Sequence, residues 1–169
     1  MELLDLYNHD NQKLNQTMIR GEKIQQGQYF KIVHIWFKNH LNQYLIQQRN
    51  KTTDTFPYQW APTAGTVREG ESSRETCVRE TKEELGLSIT DQELRLIDIY
   101  PIDHDRASYI IEVYLVHKDI DIEALTIDID EVKDVKWSNI KEIQLMIENK
   151  MFWNFLPIIP NYLDLLESV

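Results

Sequence analysis

The sequence predicts an α/β fold arranged as a three-layer α/β/α sandwich, and the order of its elements carries that prediction. Apolar runs at residues 29–37 and 43–49 read as strands on either side of a turn cluster, Asn39-His40-Leu41-Asn42. A capped helical stretch follows in the second half of Gly65–Leu87, and further strand-like runs lead to a second helix, giving β-β-α-β-β-β-α. At 169 residues the chain has the length of one domain with a full core. Hydrophobic content of 42% and charged content of 27% are those of an ordinary globular protein.

Residues 1–28 read as an N-terminal appendage packed on a main domain at 29–169. Leu3–Tyr7 is a short strand candidate, Asn8-His9-Asp10-Asn11 a turn, and Gly21 and Gly27 punctuate a polar, Gln-rich stretch. His9 is a turn residue on this reading. His34 lies inside the apolar run Y-F-K-I-V-H-I-W-F, where a core or pocket histidine is expected rather than a metal ligand. Arg49 closes the second strand ahead of the polar loop Asn50–Thr55 and is the best basic candidate for a substrate phosphate. Phe56–Pro62 then turn the chain toward the helix.

That helix has its punctuation written out. Ser72 or Ser73 caps it, Glu75 stands three residues after Ser72 as a capping box requires, and Gly86 sits where a left-handed C-cap belongs. Val78, Thr81 and Leu85 are placed to face the core, with Cys77 beside them. Glu80, Glu83 and Glu84 fall at i, i+3 and i+4 on another side, so the carboxylates are expected to share one patch. Like-charge neighbours cost only about 0.2–0.5 kcal/mol per pair, so the patch alone does not imply function.

Beyond the helix, Leu94–Tyr100 and Ser108–Val116 read as strands joined by a loop, Pro101–Arg106, which carries His104 and Arg106. Asp119–Asp130 is acidic, alternates with Ile, and reads as an edge strand or an irregular loop. Glu131–Trp137 is a short strand. Ser138 or Asn139 caps a helix to about Glu148 with Ile140, Ile143 and Ile147 on one stripe. The tail from Met151 is aromatic and apolar, broken by Pro157 and Pro160; core packing is its default role, a dimer contact or substrate-pocket wall the sharper one.

The stretch Gly65–Leu87 also has a larger regularity. Gly65 is followed by five residues, Glu71, seven residues, then R-E-T-K-E-E-L-G-L. This resembles the Nudix box, G-x5-E-x7-R-E-U-x-E-E-x-G-U, with U aliphatic; the one departure is Thr81 in the first U slot. The resemblance implies a mixed sheet between helices, a loop-helix-loop catalytic box, and hydrolysis of a nucleoside diphosphate linked to another moiety. It implies catalytic roles for Glu71, Arg79, Glu80, Glu83 and Glu84, and Mg2+ or Mn2+ held by the Gly65 carbonyl with Glu80, Glu83 and Glu84. Hard oxygen donors suit such ions. Adjacent carboxylates raise each other's proton affinity unless a cation neutralises them. Arg79 is placed to pair with Glu71 across the loop.

The approach P-Y-Q-W before the box is also similar to that of many Nudix proteins and sets Trp60 with Arg49 as candidate substrate contacts. The flanks resemble hydrolases related to isopentenyl-diphosphate isomerase. The isomerase needs a cysteine and a histidine just after the tryptophan, where this chain has Thr63-Ala64-Gly65-Thr66, so hydrolysis is preferred to isomerisation. A non-catalytic sensing module is the third alternative. Glu112, inside the apolar strand S-Y-I-I-E-V-Y-L-V, either pairs with a nearby Lys or Arg or faces the box helix as a metal ligand or general base. In the resembled branch a glutamate on the corresponding strand reaches the metal, which favours the second.

Composition removes other classes. A net charge of -10 argues against nucleic-acid polymers as partners. No apolar run approaches a membrane span and no signal-peptide pattern opens the chain, so a cytoplasmic location and no membrane contact are expected. Cys77 is the only cysteine, which rules out an internal disulfide. The expected partner is a small-molecule diphosphate, with a homodimer open.

Overall fold

The computed structural model describes residues 2–50, 56–103, 107–153 and 162–169. In chain order its strands are β1 (Leu3–Tyr7), β2 (Lys13–Ile19), β3 (Phe30–Lys38), β4 (Tyr44–Arg49), β5 (Trp60–Ala61) and β6 (Thr63–Thr66). Helix α1 (Ser73–Leu85) follows, then β7 (Arg95–Ile102), β8 (Tyr109–His117), β9 (Val132–Ser138), α2 (Ile140–Glu148) and α3 (Tyr162–Glu167).

The layering follows from β3. Val33, Ile35 and Phe37 alternate with His34 and Trp36, and all of them are buried. A strand buried on both faces needs cover on both. Val33, Ile35 and Phe37 pack with Cys77 and Leu85 of α1, while Trp36 packs with Ile143, Met146 and Ile147 of α2 and Leu163 and Leu166 of α3. The expected α/β/α sandwich is therefore present.

The sheet is mixed. β3 runs parallel to β8 from Phe30↔Tyr109 to Lys38↔His117 and antiparallel to β6 from Ile32↔Thr66 to Ile35↔Thr63. The hairpin expected between the runs at 29–37 and 43–49 closes only at Lys38↔Tyr44. Beyond that pair β6 takes the edge of β3, and β4 splays away to pair with β9 and β5. That divergence brings Gln47 of β4 and Thr63 of β6 together beneath the C-terminal end of α1.

Other differences have local causes. β2 was not expected because Met18 is its one buried residue, which leaves no alternation to read. β5 and β6 are short and flank Pro62, and their pairing comes from long-range partners. The stretch 119–130 forms no strand; a 3-10 turn at Ile122–Ala124 lets Ile120, Ile122, Leu125 and Ile127 pack against the core beside α1. β7 runs on to Ile102, its Pro101 tolerated on a sheet edge. His104, Arg106, Pro157 and Pro160 lie outside the described residues. Of the tail, Phe152, Tyr162, Leu163 and Leu166 are core residues. His34 is buried as expected: Trp36 Nε1 donates to Tyr162 Oη at 2.9 Å, and the same oxygen sits 2.9 Å from His34 Nδ1. Burial lowers the His34 pKa to about 3, so the ring is neutral. No helix among the described residues is long and apolar enough to cross a membrane.

The N-terminal hairpin β1–β2 has its own small cluster, Leu4, Leu6 and Met18, packed against Phe30. It also grips the loop before α1. Glu69 N donates to Leu3 O at 2.8 Å, Gly70 N to Asp5 Oδ2 at 2.8 Å, and Arg68 pairs with Glu2 at 2.6 Å. Asp5 is buried and takes its counter-charge from Lys13 at 2.6 Å. Asp5→Ala leaves the Gly70 N–H without its partner, so a loss of about 1–3 kcal/mol is expected. Thermal unfolding measures it; an unchanged melting temperature would mean that Asp5 does not dock the hairpin.

Candidate active site

Helix α1 is punctuated as the sequence predicts. Ser72 Oγ accepts from Glu75 N, Glu75 returns a bond to Ser72 N, and Gly86 adopts φ 66° at the C-cap. Glycine is needed at 86 on two counts, since a Cβ there would also press on the backbone of Thr126.

The single acidic patch expected from Glu80, Glu83 and Glu84 is split by the sheet. Glu84 lies on the buried stripe with Cys77 and Thr81 and is only 7% exposed. Glu83 points outward, its side chain 51% exposed. Glu80 lies between them, folded against Gly65: a Cβ at 65 would run into its Cγ, Cδ and Oε1. Val78, expected to face the core, is partly buried and packs against the cluster of Cys77 and Leu85, and Glu84 is buried as well.

Arg79 organises the outer half of this arrangement. Its Nε and Nη2 hold the two oxygens of Glu71 at 2.8 and 2.9 Å. Nη1 reaches Glu80 at 2.7 Å and Glu83 at 3.1 Å, and Nη2 also donates to Thr66 O at 3.3 Å. The pairing with Glu71 expected from the spacing is present. Thr76 Oγ1 donates to Glu71 at 2.8 Å as well, so this carboxylate is fully engaged in fastening the loop to the helix. Burial would raise the Glu71 pKa, but Arg79 and Thr76 outweigh it and hold the carboxylate below its usual range.

The inner half is held differently. Gln47 Nε2 donates to Glu84 Oε2 at 2.7 Å, and Thr63 Oγ1 donates to Gln47 Oε1 at 3.0 Å. Burial pushes the Glu84 carboxyl up to about 8, with repulsion from Glu80 and Glu131 adding to it and the Gln47 bond opposing. Glu80 is also raised, first by burial, against the pull of Arg79. Sequence reasoning missed Gln47 and Thr63. Period-2 alternation along Y-L-I-Q-Q-R puts Gln47 on the face of Leu45 and Arg49, which was the available signal.

Arg49 shares that face and lies within electrostatic reach of Glu84 and Glu131, so the structure brings it to the acidic end of α1. Trp60 is not brought there. It pairs with Gln48 across β4–β5, packs with the core under α2 and α3, and has Lys136 Nζ 4.3 Å above its ring. Glu112 is not joined to the box glutamates either. Lys31 Nζ holds Oε1 at 2.8 Å, Tyr114 donates to Oε2 at 2.8 Å, and Ser73 supplies a further hydrogen bond. Burial alone would raise its pKa, yet these donors hold it below the usual carboxylate range. The ion pair that the sequence left open is thus in place, at the opposite end of α1 from Glu84.

The donor set fits a hard divalent cation. Glu80 and Glu84 stand one turn apart, both are destabilised as anions by burial, and neither repulsion between them nor that from Glu131 is neutralised by Arg79 at the Glu84 end. Among the described residues no group of three His, Cys, Asp or Glu side chains converges as a closed cage. Mg2+ typically draws on one or two protein carboxylates and completes its shell with water and phosphate oxygens.

Comparison with known proteins bears on family and fold. The sequence profile of the NUDIX domain matches residues 29–158. An uncharacterized Nudix hydrolase of Listeria innocua, lin0387, is 33% identical over 147 residues, covering 86% of this chain and 85% of that one. The crystal structure of DR0079 from Deinococcus radiodurans superposes with a TM-score of 0.71 at 19% identity, over 99% of this chain and 98% of that one. The NUDIX domain of Shewanella oneidensis NrtR, crystallised with ADP ribose, superposes with a TM-score of 0.60 at 19% identity, over 83% and 85% of the two chains. Box spacing, layered fold and sequence kinship lead to one conclusion: this chain belongs to the Nudix family.

Proposed function

We propose that the protein is a divalent-metal-dependent hydrolase that cleaves the diphosphate linkage of a nucleoside diphosphate derivative or related diphosphate. The observation that carries this reading is the division of the box: Arg79 fastens loop to helix through Glu71, while Glu80 and Glu84 stand one turn apart where β6 and β4 meet α1. Mg2+ or Mn2+ held by the Gly65 carbonyl, Glu80 and Glu84, with Glu83 assisting, would polarise a phosphoryl oxygen and activate a water toward phosphorus.

The residues of the chain do the rest. Gly65 lets the Glu80 side chain lie flat on β6, so its carboxylate stays beside the Gly65 backbone. Arg49, on the same sheet face as Gln47, supplies positive charge where a substrate phosphate would enter an otherwise acidic protein. Water adds to phosphorus, its proton passes to a box glutamate, and the bridging P–O bond breaks to leave two phosphate-bearing products. Arg79 is too heavily committed to carboxylates to serve as the substrate clamp. Isomerase-like chemistry is disfavoured because the lone thiol, Cys77, is buried on the inner face of α1 and its pKa is pushed up by that burial.

The primary test is product release from dNTPs, nucleotide sugars, ADP-ribose, dinucleoside polyphosphates and prenyl diphosphates with Mg2+ or Mn2+. Turnover of at least one, abolished by chelator, is expected. Metal binding without any turnover would favour a sensing role instead.

Substitutions sharpen the assignment. Glu84→Gln should cut kcat by orders of magnitude with the fold intact by circular dichroism; full activity would refute the metal-ligand role. Gly65→Ala should do comparable damage through its methyl group's clash with Glu80. Glu112→Gln separates structure from chemistry. Because Lys31 is left with a weakened partner, the variant should melt lower while its single-turnover rate at saturating metal stays within a few-fold of wild type. A collapse of that rate in folded protein would return Glu112 to the catalytic set.

A further inference from the structure

We infer that Thr63 and Gln47 form a positioning relay that fixes the Glu84 carboxylate, holding Oε2 so that Oε1 is the oxygen presented to the metal. The inference rests on the proposed metal role of Glu84 and assigns functions to residues outside the box motif.

The relay spans separate elements: Thr63 on β6, Gln47 on β4 and Glu84 on α1. All are buried, at 2%, 4% and 7% exposure. The direction of its hydrogen bonds is dictated by chemistry. In the ionised state that holds a metal, the Glu84 carboxylate only accepts, so the Gln47 amide then turns its NH2 toward it, at 2.7 Å. That leaves the amide carbonyl facing Thr63, whose hydroxyl donates to it at 3.0 Å. Reversing the amide would set carbonyl against carboxylate. Thr63 therefore locks the orientation of Gln47, and Gln47 locks one oxygen of Glu84.

A glutamate has a long, rotamer-rich side chain, and ordering it costs entropy whenever a ligand binds. The relay removes that cost before binding. It also explains why β4 and β6, which do not pair with each other, both place buried polar side chains under the C-terminal end of α1 where apolar ones would pack as well. Partners that orient metal-binding side chains typically change metal affinity by about 10–100-fold when removed.

The test uses the full chain and Mn2+ titration followed by the electron paramagnetic resonance signal of the free ion. Gln47→Leu, close in volume but unable to donate, should weaken Mn2+ binding by roughly 10–100-fold. Thr63→Val should weaken it by a smaller factor, and Thr63→Ser, which keeps the hydroxyl, should restore it. A double variant tests the route: because the relay acts through Glu84, Gln47→Leu should change nothing further in a Glu84→Gln background. Wild-type affinity in folded Gln47→Leu, or additive losses in the double variant, would overturn the proposal. If Gln47→Leu does not fold, the Thr63 pair decides alone, and equal affinities for Thr63→Val and Thr63→Ser overturn it. Failure of the wild-type protein to bind Mn2+ would refute the metal role of Glu84 itself, a result separate from any outcome in the relay variants.

Discussion

The molecule is built around a strand that is buried on both faces. With Val33, Ile35 and Phe37 on one side of β3 and His34 and Trp36 on the other, helices are required above and below, and the chain cannot settle as a two-layer fold. The same strand is bonded along both edges, parallel to β8 and antiparallel to β6. Helix α1 lies across β6 and β3, and its C-terminal end reaches Gln47 of β4. The candidate site exists because the sheet divides beneath a helix that carries carboxylates.

Charge is the second organising problem. Glu71, Glu80, Glu83 and Glu84 crowd into a small volume, and the structure treats them unequally. Arg79 neutralises the outer members while remaining protonated; burial alone would favour its neutral form, but Glu71 and Glu80 outweigh that. At the inner end Glu84 takes its hydrogen bond from the Gln47 amide, and burial pushes its carboxyl up against the pull of that bond and of Arg49. A buried carboxylate without a full counter-charge is costly in a protein selected only for stability. The imbalance is local to the end of α1 where Arg49 also approaches, and it is the physical basis for reading this end as the working end. Glu112 makes the contrast clear. It is just as buried, but Lys31, Tyr114 and Ser73 donate to it, and its pKa moves the other way.

The N-terminal hairpin takes part in the architecture of the box although it precedes the residues matched by the family profile. Glu2, Leu3 and Asp5 hold Arg68, Glu69 and Gly70, the turn that delivers Glu71 to Arg79. Arg68 also stands 3.9 Å from Glu83, so the hairpin's Glu2 and the helix's Glu83 draw on the same guanidinium. Loop, hairpin and helix therefore form one connected polar system on one side of the sheet, and the apolar packing of α2 and α3 occupies the other.

Local signals were sufficient for much of this. The capping box at Ser72 and Glu75, the left-handed Gly86, the ends of α2, the principal strands and the fixed spacing of Glu71, Arg79, Glu80, Glu83 and Glu84 depend on residues near one another in the chain, so the sequence determined them alone. Burial was decided by the tertiary structure. Helical periodicity put Glu84 with Glu80 and Glu83; only the position of the sheet turned Glu84 inward. The same holds for partners distant in sequence. Whether Glu112 would find a lysine or a metal site depended on the register that sets Lys31 of β3 beside Ile110 of β8, and the roles of Gln47 and Thr63 depended on β4 and β6 converging under α1. Periodicity along one element reports which residues share a face, but which face is covered, and by what, is settled only when elements from distant parts of the chain meet.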